Sequence, residues 1–250
     1  MCTESSTQKL LLPVLTEIAP HLTAEVSKYI LKPANISKDK SMPTPVEFAN
    51  VIACQQCTVH TSLKLLRDNL ENVPQPGFVG SNYIHKRVVL VGQNPGICPP
   101  WLAERDAVYT AALRAVRDEP NAETMKALER VLSRFVPEWP VYRNYFPLSE
   151  CGLTLSDTAY LNVVRCRTQG NSVPGRFVIN NCLHHFRHWI EVLQPNVVVF
   201  IGKWAFDKAG HIPNQLGIPC DFMNRERSLS STERIENRNR VVAMVRNVVG

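Results

Sequence analysis

Three short runs constrain this chain more than anything else in it: Val88-Val89-Leu90-Val91, Ala159-Tyr160-Leu161-Asn162-Val163-Val164 and Val197-Val198-Val199-Phe200-Ile201. Each is almost unbroken by polar residues, the pattern of a strand buried on both faces. Segments of helical length and spacing lie between them, at Trp101–Arg117, Ala122–Phe135 and Phe177–Leu193. Ile218–Met223 reads as a fourth, shorter strand, and Ile235–Val249 as a last helix. Strands alternating with helices predict an α/β fold, a three-layer α/β/α arrangement around a central four-stranded, mainly parallel sheet. Such sheets present their chemistry at the carboxyl ends of the strands.

The first run ends in Gly92-Gln93-Asn94-Pro95-Gly96. The glycines let backbone approach a ligand closely, and Pro95 stiffens the turn. Gln93 and Asn94 are then side chains held over a cleft, although an Asn here equally suits a turn bond to its own backbone. The second run carries Asn162, whose amide offers both a donor and an acceptor.

Ahead of this core, residues 8–31 show helical spacing, and Lys32–Pro45 reads as a linker rich in Asn, Ser, Lys and Pro. The expected division is an extension over 1–45 and one α/β domain over 46–250. Glu47–Leu70 reads as helical, Asn72–Asn82 as loop, Pro137–Pro147 as an aromatic-rich loop and Arg165–Gly175 as a polar loop. Leu10–Leu15 is too short to span a bilayer, and the first residues lack the basic start of a signal peptide, so a cytosolic protein without membrane contact is expected. The formal net charge of +6 is compatible with a polyanionic partner.

Eight cysteines in a reducing compartment argue against a disulfide framework and for a metal role wherever they are well spaced. Cys54 and Cys57 form a C-x2-C pair, and Cys166 and Cys182 follow at wider spacing. Four thiolates suit zinc or an iron–sulfur cluster. His184, His185 and His188 share a predicted helix with Cys182 and read more simply as surface or core residues.

Taken in order, these segments resemble the iron–sulfur branch of the uracil-DNA glycosylase superfamily. That branch has an early C-x2-C, a strand ending in a GEAPG-type turn, and a strand reading NVVKCRPPGNR-x-P. A helix with a fourth cysteine and a strand of the VVVALG kind complete it. The matching stretches here are Cys54–Cys57, Gly92–Gly96, Asn162–Asn171 with Pro174, Cys182, and Val197–Gly202 with Ala205. The first turn, GQNPG, also resembles the GINPG and GMNPG turns of the mismatch-specific and single-strand-selective branches, and the GQDPY turn with Asp replaced by Asn. The superfamily's closing His-Pro-Ser motif has no counterpart: its place is taken by Asn224–Ser231, and no histidine follows His211.

The resemblance implies a DNA glycosylase that removes uracil or another altered base from single- or double-stranded DNA, acting as a monomer. It implies a structural 4Fe-4S cluster on Cys54, Cys57, Cys166 and Cys182. It assigns the water-orienting role to Asn94, with Gln93 second, and base recognition to Asn162 within a pocket walled by Gly92, Pro95 and Gly96. Leu229 would be the wedge that fills the gap left by a flipped base, with Arg225 and Arg227 on phosphates or the base's O2 side and Ser228 on a phosphate. Arg165 and Arg167 are further candidates for phosphate contact. Trp101, Tyr109 and the Trp139–Phe146 cluster are the candidates for stacking on the base. The alternative is a DNA-binding or base-modifying protein on the same scaffold.

Overall fold

Every residue of Val88–Gly92 is buried, as is every residue of Val197–Ile201, so both runs lie inside a sheet covered on two faces. The computed structural model describes residues 42–57, 65–66, 73–225 and 230–250, all within one compact unit, Lys40–Gly250. The helices and linker expected before residue 42 lie outside the described residues.

In chain order the elements begin with α1 (Pro45–Ile52), β1 (Leu65–Leu66), β2 (Phe78–Val79), α2 (Tyr83–Lys86) and β3 (Val88–Gly92). Next come α3 (Ala103–Asp118), α4 (Ala122–Phe135), β4 (Thr158–Asn162), β5 (Arg167–Thr168) and α5 (Arg176–Leu193). Last are β6 (Val197–Ile201), α6 (Lys203–Ala209), α7 (His211–Gln215), β7 (Cys220–Met223) and α8 (Ser231–Val249). The main sheet runs β2-β4-β3-β6-β7. Its four longer strands are parallel, as the alternating pattern predicts. The fifth, β2, is an added antiparallel edge strand where a loop was expected. Two residues between Gly77 and Gly80 are too few to show a period.

Side chains alternate along each strand, so the sheet has two apolar faces. Val89, Val91, Ala159, Leu161, Val198 and Phe200 pack with α1, α3, α4 and α5, where Trp189 and Phe186 fill the largest spaces. Val88, Leu90, Val197, Val199 and Ile201 pack beneath Val241, Val242 and Val245 of α8. These are the expected outer layers. Each fully buried Val or Leu contributes about 1.5–3 kcal/mol. By the same alternation, Tyr160, Asn162 and Gly92 share the face that looks toward α8.

Two expectations fail locally. The helix read over 47–70 stops at Ile52: Thr44 and Glu47 cap its start with Pro45 in the first turn, and Cys54 and Cys57 lie in the turn beyond its end. Leu65–Leu66 instead pairs with Arg167–Thr168. The polar loop expected over Arg165–Gly175 begins inside the protein, with Arg165 through Thr168 buried, and comes to the surface at Gln169–Asn171. Its polar letters conceal partners supplied from elsewhere in the fold.

Candidate functional site

The register of the parallel pair β3 and β4 sets Gly92 directly beside Asn162 at the carboxyl edge of the sheet. The backbone then stays knit past the strand end, with Val163 N–H donating to Gly92 O and Val164 N–H to Gln93 O, each at 2.9 Å. A Cβ on Gly92 would collide with the Tyr160 hydroxyl and stand 2.6 Å from Asn162 Oδ1. Only glycine lets these two polar groups come over the strand end.

Asn94 is half-buried, and its amide is held on both donors. Nδ2 donates to Pro95 O at 3.1 Å and to Thr168 Oγ1 at 3.3 Å. Thr168 Oγ1 in turn donates to Ser172 O at 2.6 Å. A second strut crosses nearby, Ile97 N–H to Asn171 Oδ1 at 2.8 Å. The local turn bond and the ordered site therefore coexist: fixing Nδ2 leaves Oδ1 to accept a hydrogen bond from water. Gln93, beside it, is also half-buried, Pro95 is buried and Gly96 exposed, so the turn stands at the mouth of the cleft.

Asn162 is 4% exposed. The Tyr160 hydroxyl donates to its Oδ1 at 3.1 Å, and among the described residues its Nδ2 has no acceptor. Tyr160 is held edge-on by Trp139 and Tyr142, with ring centroids 5.6 and 6.3 Å away. Burial pushes its pKa up to about 12, against a smaller opposing pull from the Arg225 guanidinium. Arg225 is exposed, with its guanidinium near enough to Tyr160 to exert that pull. It lies over the Tyr145 ring at 4.4 Å and over Gly202, where β6 ends. The segment leading to it is fixed by Asn237, which accepts from Asn224 N–H at 2.7 Å and donates to Phe222 O at 2.9 Å. Arg227, Ser228 and Leu229, the rest of the expected DNA-contacting loop, lie outside the described residues.

Among the aromatic candidates, Tyr109 is buried and Trp139 half-buried in the chain of rings that supports Tyr160, whereas Trp101 is 81% exposed. The phosphate role expected for Arg165 and Arg167 is overturned. Arg167 pairs with Asp106 of α3 through both guanidinium nitrogens, and Arg165 is 1% exposed. Neither reaches a surface where a phosphate could come. A groove of about 620 Å³ between α5 and α6, lined by Val173, Pro174, Arg176, Trp204 and Lys208, takes none of the strand-end residues.

No disulfide joins the described cysteines. Cys57, Cys166 and Cys182 are buried and Cys54 is half-buried. Asn181 Nδ2 donates to Cys57 Sγ at 3.4 Å, which holds the C-x2-C turn against α5. Burial pushes the Cys182 thiol up to about 11; the Arg165 backbone N–H and charge pull it down, and the thiols of Cys57 and Cys54 push it up. Among the described residues, no three His, Cys, Asp or Glu close on a point where a single metal ion would sit. Arg165, however, is buried beside this set; among the described residues its Nε and Nη2 are unpartnered, and Nη1 donates to Pro76 O at 2.7 Å. An uncompensated buried cation is costly. Its charge would suit an anionic group held by the neighbouring thiolates, such as an iron–sulfur cluster.

Sequence reasoning missed Tyr160, Thr168, Asp106 and Asn237. Tyr160 carried one usable signal, since it stands two residues before Asn162 on a strand and so shares its face. The others act across long sequence separations that no local pattern shows.

The family model of the uracil DNA glycosylase superfamily matches residues 80–245 of the 250. No curated protein matches the chain.

Proposed function

The chain belongs to the uracil DNA glycosylase superfamily, and from that premise we propose that it hydrolyses the N-glycosidic bond of uracil or a related altered base in DNA. The observation that carries this reading is the buried Asn162 amide set against Gly92, with the Asn94 turn on one side and the Arg225 charge on the other. A base swung out of the stack would enter this cleft and pair its edge with Asn162. The C1′–N bond breaks first, leaving an oxocarbenium-like sugar and an anionic base. Arg225 and Asn162 Nδ2 stabilise the negative charge on the base. Asn94 Oδ1 holds the water that adds to C1′, and the proton this water sheds passes through solvent to the anionic base. An amide is no general base, but the cationic sugar needs little help from one, so hydrolysis proceeds at a modest rate.

Cys54, Cys57, Cys166 and Cys182 would hold a 4Fe-4S cluster, which would tie the early turn and the loop after β4 to α5 without taking part in the reaction. Arg165 would supply its counter-charge.

A second reading is DNA binding or base modification without hydrolysis, favoured by one observation: the turn offers amides and no carboxylate. One assay separates the two. Oligonucleotides carrying uracil, hypoxanthine, xanthine or a 5-substituted pyrimidine are incubated with the protein and probed for abasic sites. Abasic sites at one or more of these bases are expected. Binding without base loss would favour the second reading, as would a mass change with the base retained.

A further inference from the structure

Asn162 can present its amide to the cleft in two ways, related by a half-turn about χ2. One way offers a donor where the other offers an acceptor, so a base edge is read correctly only if the half-turn is prevented. Among the described residues the amide has one partner, the Tyr160 hydroxyl at 3.1 Å. Tyr160 is itself well fixed. Trp139 and Tyr142 brace its ring. The neighbouring Tyr142 hydroxyl is engaged with Thr158 Oγ1 at 3.0 Å and does not compete. The hydroxyl stands over Gly92, where any side chain would displace it.

We infer that Tyr160 is a positioning residue that locks the Asn162 amide in one orientation and thereby sets which base edge the cleft accepts. This rests on the reading of the cleft as a base-binding site. The hydroxyl keeps its proton at neutral pH because burial holds its pKa near 12. It donates to Oδ1, and turning the amide over would strip that O–H of its acceptor in a half-buried setting. With Oδ1 engaged, Nδ2 points to the cleft as a donor and the second lone pair of Oδ1 remains beside it. This pattern suits a carbonyl next to a ring N–H, as in uracil, and opposes an amino group next to a bare ring nitrogen, as in cytosine.

The test is Tyr160→Phe, which keeps the ring and removes the hydroxyl. Affinity is measured for oligonucleotides carrying 2′-fluoro-deoxyuridine or 2′-fluoro-deoxycytidine at one position, because the fluorine suppresses cleavage and isolates binding. The wild type is expected to prefer the uridine analogue, and Tyr160→Phe to narrow that preference about tenfold with unmodified DNA bound as before. Asn162→Ala should erase the preference. A purely structural role would weaken both analogues equally and leave their ratio unchanged, which would overturn the inference; so would a wild type without preference. If the wild type discriminates between the analogues yet never forms abasic sites, the hydrolytic reading fails while the ratio still decides the role of Tyr160.

Discussion

The strand-end cleft and the cysteine region are joined by one stretch of chain, Asn162–Thr168, yet they treat buried polar groups in opposite ways. At the cleft, amides and hydroxyls satisfy one another: Tyr160 holds Asn162, and Thr168 holds Asn94. What is left over is one donor and one acceptor facing outward. At the cysteines, Arg165 is fully buried, with two nitrogens unpartnered among the described residues. The first region is organised before any ligand arrives. The second has a buried charge with two nitrogens unpartnered among the described residues, which an anionic group on the proposed cluster ligands would balance. On the proposed reading, the difference would separate a site for a transient guest from one for a permanent cluster.

The contrast can be broken most sharply at the cysteines. Cys166→Ala should remove broad absorption near 400 nm and bound iron from protein purified without oxygen, and a variant that keeps both would end the cluster assignment. At the cleft, Asn162→Ala should lower kcat/KM for excision about 100-fold, because it removes base contact and charge stabilisation together. Arg225→Ala should cost about tenfold or more, mainly in kcat; a change confined to KM would make it a DNA-affinity residue. Asn94→Ala should slow excision about tenfold with DNA affinity little changed, and Thr168→Val should reproduce part of that loss by freeing the amide. If Thr168→Val has no effect while Asn94→Ala does, the turn needs no bracing. The smallest effect separates the two regions by sign. In iron-free protein, Arg165→Met should raise unfolding stability by about 1–3 kcal/mol, since it deletes an unpaired buried charge. In iron-loaded protein it should speed iron loss to a chelator. Equal signs in both states would mean that Arg165 is not a counter-charge.

Much of this was legible in the sequence. Three unbroken apolar runs and the shorter Ile218–Met223 stretch located the four parallel strands, and the polar residues at the strand ends named the candidate cleft. Gly92 and Asn162 could be named, but not set side by side, because register is a tertiary fact. Tyr160 looked like one more apolar residue of a strand, and only its pairing with Asn162 shows what its hydroxyl does. Arg165 and Arg167 misled for the opposite reason. Two arginines in a polar stretch suggest phosphate contact, yet one is paired by Asp106 from a distant helix and the other is enclosed beneath Trp189. Strand β2 was missed because two residues show no period, and the helix expected over 47–70 because Leu65 and Leu66 fit either structure.

The central claim is that the Asn162 cleft removes a base. Single-turnover release of free uracil from a uracil-containing oligonucleotide, followed by mass spectrometry for the wild type and Asn162→Ala in parallel, tests it most directly. Uracil should appear in step with abasic DNA for the wild type and about 100-fold more slowly for the variant. Tight binding of the oligonucleotide with no uracil released, or release at the same rate by both proteins, would contradict it.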